Sequence, residues 1–159
     1  MNKKKLIIYI DTSVFGGCFD DEFEKGSSNF FKNARNRKFY LLISDILATE
    51  LSLAPVPVKE LFTEIIRLED ILRLQATDET IYLQEEYIKA GIITKKYADD
   101  AFHVAHASIA RADAIVSWNF KHLVNPSKIR AFNAVNLSKG YGMIVILTPE
   151  DIVKSLEQK

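Results

Sequence analysis

Short aliphatic segments alternate with longer segments of helical periodicity along this chain of 159 residues. The first aliphatic segment, KLIIYI at 5–10, is apolar at consecutive positions. This pattern is typical of a strand that is buried on both faces of a parallel sheet. Four further segments also have the composition of strands, and they lie at 39–44, 71–76, 113–118 and 143–148. Strands that alternate with helices predict an α/β fold around a mostly parallel sheet of about five strands.

Helical periodicity occupies the segments between these strands. Ser44 and Thr148 stand at cap positions, and Gly91 stands where a helix would end. Because neither a repeat nor a long linker interrupts the pattern, the chain is expected to form a single domain over residues 1–159. The predicted helices lie at 27–37, where a serine provides the cap, at 44–54, 58–69, 78–91, 94–112 and 126–140, and from Pro149 onward.

The charge and the cysteine content exclude several classes of protein. Lysine plus arginine equals aspartate plus glutamate at 21 each, so no net charge attracts the chain to nucleic acid or to a membrane, and a polyanion must be bound by a local patch. Cys18 is the single cysteine, which excludes an internal disulfide and a thiolate cluster. The apolar segment after the first lysines is too short for a signal sequence or a membrane span. We therefore expect a cytoplasmic protein that does not bind membranes.

Polar residues follow two of the predicted strands. Asp11 ends the first strand, and Ser117 and Asn119 follow the fourth. Ligands of parallel sheets bind outside the carboxyl ends of strands, so these residues are expected at one edge. A carboxylate there is costly to desolvate without a cation, which favours a metal site. The alternative for Asp11 is a simple turn or helix cap.

Two other acids lie on predicted helices. Glu50 borders the apolar stripe of its helix and could be either a surface acid or a site acid. Asp100 borders small apolar residues, which would let a ligand come close. Asp99, His103 and His106 share a face at positions i, i+4 and i+7, so they predict either a zinc-type site or two partly buried histidines near a solvent-exposed acid.

Four motifs, in this order and at this spacing, resemble the PIN domain, as found in toxins of VapBC-type toxin–antitoxin pairs. The motifs are IYIDTSV, SDILATEL, DDAFHVAHA and DAIVSWNF. The resemblance extends from Asp11 to the strand after Gly142. It implies a three-layer α/β/α sandwich with acids at one edge of the sheet, and a single PIN-like domain over residues 1–159.

The resemblance also implies a catalytic site. Asp11, Glu50 and Asp100 match the first three acids, which would bind Mg²⁺ or Mn²⁺. Thr12 or Ser13 would support the first acid, and Ser117 matches the hydroxyl that follows the fourth strand. Asn119 stands where a fourth acid is expected, and because an amide adds no charge, the choice between one metal and two stays open. His122 is a further candidate nearby.

The implied activity is hydrolysis of RNA phosphodiester bonds by a metal-activated water, in a toxin that forms a homodimer and binds an antitoxin. Lys95, Lys96 and Lys121 are the candidate contacts to RNA phosphates. One alternative is a degenerate PIN domain that binds RNA or protein without catalysis. Another is a phosphatase of the haloacid-dehalogenase type with Asp11 as nucleophile, although Ser13 stands where such enzymes have a second aspartate.

Overall fold

The computed structural model describes residues 4–158, and its centre is one five-stranded sheet. The strands are β1 Ile7–Ile10, β2 Tyr40–Ser44, β3 Ile71–Leu74, β4 Ala114–Val116 and β5 Ile146–Leu147. Their order across the sheet is β3-β2-β1-β4-β5. Every pairing between neighbours is parallel, as the alternation of strands and helices predicted.

Helices cover both faces of this sheet. They are α1 Ser13–Gly17, α2 Glu24–Arg35, α3 Asp45–Leu51, α4 Val56–Ile65, α5 Asp78–Lys89, α6 Ala98–Ile109, α7 Pro126–Ser138 and α8 Pro149–Glu157, and a 3₁₀ turn at Lys95–Tyr97 precedes α6. One apolar core lies between the sheet and α1, α2, α3, α4 and α8. A second core lies between the sheet and α5, α6 and α7. The expected three-layer sandwich is confirmed.

The first strand shows why the sheet is buried on both faces. Ile8 and Ile10 belong to one core and Tyr9 belongs to the other, because successive side chains of a strand point to opposite faces. All three side chains are buried completely. An unbroken apolar strand is therefore the expected sequence at this position.

The register of β1 and β4 defines the edge where the site lies. Ile10 is the register partner of Val116, and the backbone N–H of Asp11 donates to the Val116 carbonyl at 3.1 Å. The backbone N–H of Ser117 donates to the carbonyl of Leu147 at 3.1 Å. The residues after β1 and β4 thus meet at the carboxyl edge of the sheet.

Some predicted boundaries are wrong. The helix predicted at 27–37 begins at Glu24, and Ser27, its predicted cap, is buried within the helix and donates from Oγ to the Val14 carbonyl at 2.7 Å. The helix predicted at 58–69 spans Val56–Ile65. The helix predicted at 94–112 is shorter, because the 3₁₀ turn occupies its start and it ends at Ile109, and α1 had not been predicted.

Within residues 4–158, no helix is both long enough and apolar enough to cross a lipid bilayer.

Candidate active site

Asp11 is buried at the carboxyl end of β1, with only 4% of its surface exposed. Its Oδ2 accepts hydrogen bonds from the Ser13 and Ser117 hydroxyls, each at 2.7 Å. Ser13 Oγ also accepts from the backbone N–H of Trp118 at 2.9 Å. The loops after β1 and β4 therefore hold one oxygen of this carboxylate, and these bonds offset part of the cost of its burial.

Glu50 reaches the same edge from α3. Its Oε1 accepts from the Thr12 hydroxyl at 2.8 Å and lies 2.6 Å from Nε2 of His103. Partial burial by itself raises the pKa of Glu50, but the hydrogen bond and charge of His103, together with the Thr12 hydroxyl, outweigh it and hold the pKa below its ordinary value. Glu50 is thus held as a carboxylate beside the loop that follows Asp11.

His103 is completely buried on α6 and lies between two of the acids. Its Nε2 is 2.6 Å from Glu50 Oε1 and 3.4 Å from Asp11 Oδ1, and its Nδ1 is 2.6 Å from the Tyr9 hydroxyl. Burial disfavours the imidazolium, but the hydrogen bond to Glu50 and the charge of Asp11 outweigh burial and raise the pKa of His103. The histidine thus lies where two of the carboxylates meet.

Asp100 lies in the first turn of α6, one turn before His103. Its Oδ2 is 2.7 Å from Nδ1 of His122, a buried side chain of the loop after β4. Burial raises the pKa of the Asp100 carboxyl above its ordinary value, the His122 hydrogen bond opposes this, and the negative charge of Asp11 adds to it. Asp100 is therefore joined to the loop after β4 through His122.

Asn119, which stands where the resemblance led us to expect a fourth acid, stabilises a turn. Its Oδ1 accepts from the backbone N–H of His122 at 3.0 Å, and its own N–H donates to Ser117 Oγ at 2.9 Å. This is the local side-chain to backbone pattern by which asparagine stabilises a turn. The amide therefore fixes the loop that carries His122.

The three acids belong to one connected cluster. Each polar contact above shares a residue with the next, so the acids from β1, α3 and α6 are fixed relative to one another. In order, the path runs Asp100, His122, Asn119, Ser117, Asp11, His103 and Glu50.

The cluster includes His103 and His122, neither of which could be assigned to the site from the sequence. The i, i+3 spacing of Asp100 and His103 could have indicated a shared face. Tyr9, the polar ring in an otherwise aliphatic strand, was a second signal. No comparable signal marks His122, because its contact depends on how the loop folds.

Asp99, His103 and His106 do not share a site. Asp99 is exposed, whereas His106 is buried and its Nε2 lies 3.3 Å from Asp45 Oδ1 without forming a hydrogen bond of good geometry. Burial lowers the pKa of His106, against the charge of Asp45. Of these three residues, only His103 belongs to the cluster that contains Asp11 and Glu50.

Two of the three candidate lysines lie beside Tyr97, whose ring is a neighbour of His122. Lys96 and Lys121 hold their ammonium groups 5.4 Å and 5.2 Å from the ring centroid of Tyr97. That ring lies 4.3 Å from the ring of His122, which is paired with Asp100. Lys95 is exposed, and no such contact of it is seen within residues 4–158.

The carboxylates of the cluster are of the ligand type that a hard divalent cation prefers. Hydrogen bonds engage one oxygen each of Asp11, Glu50 and Asp100, whereas Oδ1 of Asp11, Oε2 of Glu50 and Oδ1 of Asp100 accept none within the described residues. Carboxylate oxygens are the ligands that Mg²⁺ prefers. Across positions 4–158, no three His, Cys, Asp or Glu side chains are already gathered as a metal site.

Comparisons with known proteins support the fold. No protein-family model matches the sequence, and no curated protein matches it. Among solved structures, the chain is similar to one chain of "Crystal structure of VapBC2 from Rickettsia felis bound to a DNA fragment from their promoter", at 16% identity and a TM-score of 0.53. The match covers 90% of this chain and 98% of the other. The two chains share a fold. At this identity the likeness extends to the architecture alone.

Proposed function

We propose that this protein is a metal-dependent endoribonuclease and the toxin of a type II toxin–antitoxin pair. The observation that carries the proposal is the hydrogen-bonded cluster of Asp11, Glu50 and Asp100 at the carboxyl edge of a parallel sheet. Support also comes from the fold shared with a chain of the VapBC2 structure.

Different neighbouring residues orient each of the three acids. Ser13 and Ser117 hold Asp11, Thr12 and His103 hold Glu50, and His122 holds Asp100. Each acid has a second oxygen that accepts no hydrogen bond from the described part of the chain, and because that of Asp11 lies 3.4 Å from His103 Nε2, a cation would compete with the imidazole for it. A bound Mg²⁺ or Mn²⁺ would neutralise charge that develops on the phosphoryl group and lower the pKa of a coordinated water.

The partners follow from the same proposal. Lys96 and Lys121 offer positive charge to RNA beside Asp100. By its likeness to a chain of the VapBC2 structure, we propose that this protein binds an antitoxin, and by its resemblance to PIN toxins that it forms a homodimer. Both partners would act at a protein whose net charge is zero, so binding must depend on local complementarity.

Cleavage of an unstructured RNA tests the activity. Purified protein with Mn²⁺ or Mg²⁺ should cut the RNA, and chelation with EDTA should stop it. Asp100→Ala should lose at least about a hundredfold in rate, since removal of one electrostatic group from an active site costs roughly 10²–10³. Asp99→Ala is the matched control, because this exposed neighbour on the same helix should keep the activity of the parent.

If Asp99→Ala and Asp100→Ala lose activity equally, or if the parent cuts no RNA while a known nuclease does so beside it, the nuclease proposal is wrong. The second result would favour the alternative, a PIN-like domain that binds RNA or protein without catalysis. One observation supports that alternative: Asn119 adds no charge and its amide oxygen is engaged in the turn. RNA binding by a parent that does not cleave would establish it.

A further inference from the structure

An exposed aromatic and an exposed lysine follow Asn119 directly. Phe120 keeps 50% of its surface exposed, and Lys121 is also exposed. Both lie on a turn in which the N–H groups of Leu123 and Val124 donate to the Asn119 carbonyl at 3.1 and 2.8 Å. The turn is therefore rigid, so a ligand that binds it pays little to order it.

Phe120 is the outer member of an aromatic cluster. Phe23 and Trp118 stack with centroids 4.5 Å apart, and Phe120 lies 6.3 Å from the first and 6.4 Å from the second. The indole of Trp118 is held by a hydrogen bond, since its Nε1 donates to Oγ of the buried Ser27 at 2.8 Å. The half-exposed ring of Phe120 thus packs against the rings of Phe23 and Trp118.

Lys121 and Lys96 converge on the Tyr97 ring, as described above, and within the described part of the chain neither makes an ion pair. An ammonium group without a carboxylate partner is available to a backbone phosphate, and both of these groups lie at the same aromatic ring. They lie beside His122, the partner of Asp100. An exposed ring beside free positive charge is the pattern by which proteins bind single-stranded nucleic acid.

We propose that Phe120, Lys121 and Lys96 form a nucleotide subsite for single-stranded RNA. One base stacks on the exposed face of Phe120, and a backbone phosphate lies between the two lysines. The subsite rests on the proposed RNA substrate, and it specifies how that substrate is held beside the acids. A protein partner would use the ring of Phe120 but would not require a phosphate at the lysines, so the paired cations favour RNA.

Binding of a fluorescein-labelled oligouridylate of about eight nucleotides, followed by anisotropy in EDTA, separates binding from cleavage. Phe120→Ala should weaken binding about tenfold, because base–aromatic stacking contributes roughly 1–3 kcal/mol per base and 1.4 kcal/mol is tenfold. Phe120→Tyr keeps a ring and should restore binding. Tyr82→Ala is the control, since this residue is 45% exposed on α5. Thermal unfolding and the emission of Trp118, the single tryptophan, verify the fold of each variant.

The salt dependence of binding tests the lysines. For single strands, each phosphate contact contributes about 0.7 to the slope of log K against log salt. Lys121→Met and Lys96→Met should together reduce the slope by that amount if they hold one phosphate. Lys59→Met, an exposed lysine of α4, should leave the slope unchanged.

The subsite is wrong if the parent does not bind the oligouridylate, or if Phe120→Ala binds it as tightly as Tyr82→Ala does. In the second case the exposed ring belongs to a protein interface. Cleavage of RNA by the parent with no effect of Phe120→Ala would leave the nuclease intact and remove the subsite. Binding through Phe120 without cleavage in Mn²⁺ would leave the subsite intact and remove the nuclease.

Discussion

His103 Nε2 lies 2.6 Å from Glu50 Oε1, and the opposite ring nitrogen lies 2.6 Å from the hydroxyl of Tyr9. The ring is completely buried, so both nitrogens depend on these partners. When one partner of a buried hydrogen bond is removed, the polar group that remains is left desolvated. The loss of stability then exceeds the net contribution of the hydrogen bond.

His103→Leu should therefore lower the free energy of unfolding by about 2–3 kcal/mol, since it leaves Glu50 with only the Thr12 hydroxyl and the Tyr9 hydroxyl with only Ser44 as partners within residues 4–158. Urea denaturation at pH 7 measures this loss. His106→Leu is the matched control one turn later, where the buried Nε2 makes no hydrogen bond. It should cost less than about 1 kcal/mol. Equal losses in the two variants would show that the His103 contacts contribute nothing specific.

Tyr9→Phe tests whether the hydroxyl supports the site as well as the core. The change removes hydrogen bonds to Ser44 and His103 at 2.7 and 2.6 Å, and should cost about 1–2 kcal/mol. It should also slow RNA cleavage severalfold, because His103 orients Glu50. Tyr87→Phe is the control, since its buried hydroxyl bonds to Asn136 on the other side of the sheet from α3. It should lose stability but keep the cleavage rate.

Gly26 makes room for Trp118 in the aromatic cluster. A Cβ at this position would lie 2.8 Å from two atoms of the indole ring, closer than real Cβ contacts. Gly26→Ala should therefore destabilise the protein by about 1–3 kcal/mol and shift the Trp118 emission, although alanine is the better helix former. At Gly16 nothing lies within 4 Å of an added Cβ, so Gly16→Ala should be neutral or stabilising. A stable Gly26→Ala with unchanged emission would contradict the packing described.

Asp70 is expected to make the stability of the protein fall as the pH is lowered below about 4. The hydrogen bonds from Arg37 and then Lys5 lower its pKa from 3.8 to about 2. Because the folded pKa lies below the unfolded one, the stabilisation is complete above about pH 4 and is lost as the pH falls towards 2. The melting temperature of the parent should exceed that of Asp70→Asn at pH 5, and the gap should narrow steadily as the pH falls from 4 towards 2. Glu60→Gln, on an exposed position of α4, should show no such pH-dependent gap.

The strands and the place of Asp11 directly after β1 could be predicted from the sequence because their signals are local, whereas the assignment of Glu50 and Asp100 depends on the resemblance to PIN domains. A run such as LIIYI can only be buried on both faces, and a polar residue directly after it must stand at the carboxyl edge. The strand predicted at 143–148 shows the limit of local signals. Only Ile146–Leu147 pairs with β4 as a strand, and Ile144 instead bonds through its N–H and its carbonyl to the side chain of Asn133, at 2.7 and 3.1 Å.

The histidines of the site could not be assigned because their roles depend on residues distant in sequence. His103 meets Tyr9 from β1 and Glu50 from α3, and its helix alone does not reveal either contact. Ser27 likewise has a favourable residue type for a cap, but its hydroxyl serves Trp118 and Val14 instead. Tertiary partners decide these positions, and local propensity does not.

In the proposed enzyme, Asp11, Glu50 and Asp100 share one divalent cation. Crystals grown with Mn²⁺ and measured near the manganese absorption edge test it directly. We predict one anomalous peak within about 2.5 Å of an oxygen of each of the three carboxylates. No peak at this cluster, in crystals of protein that still cleaves RNA in the same Mn²⁺ solution, would contradict the claim.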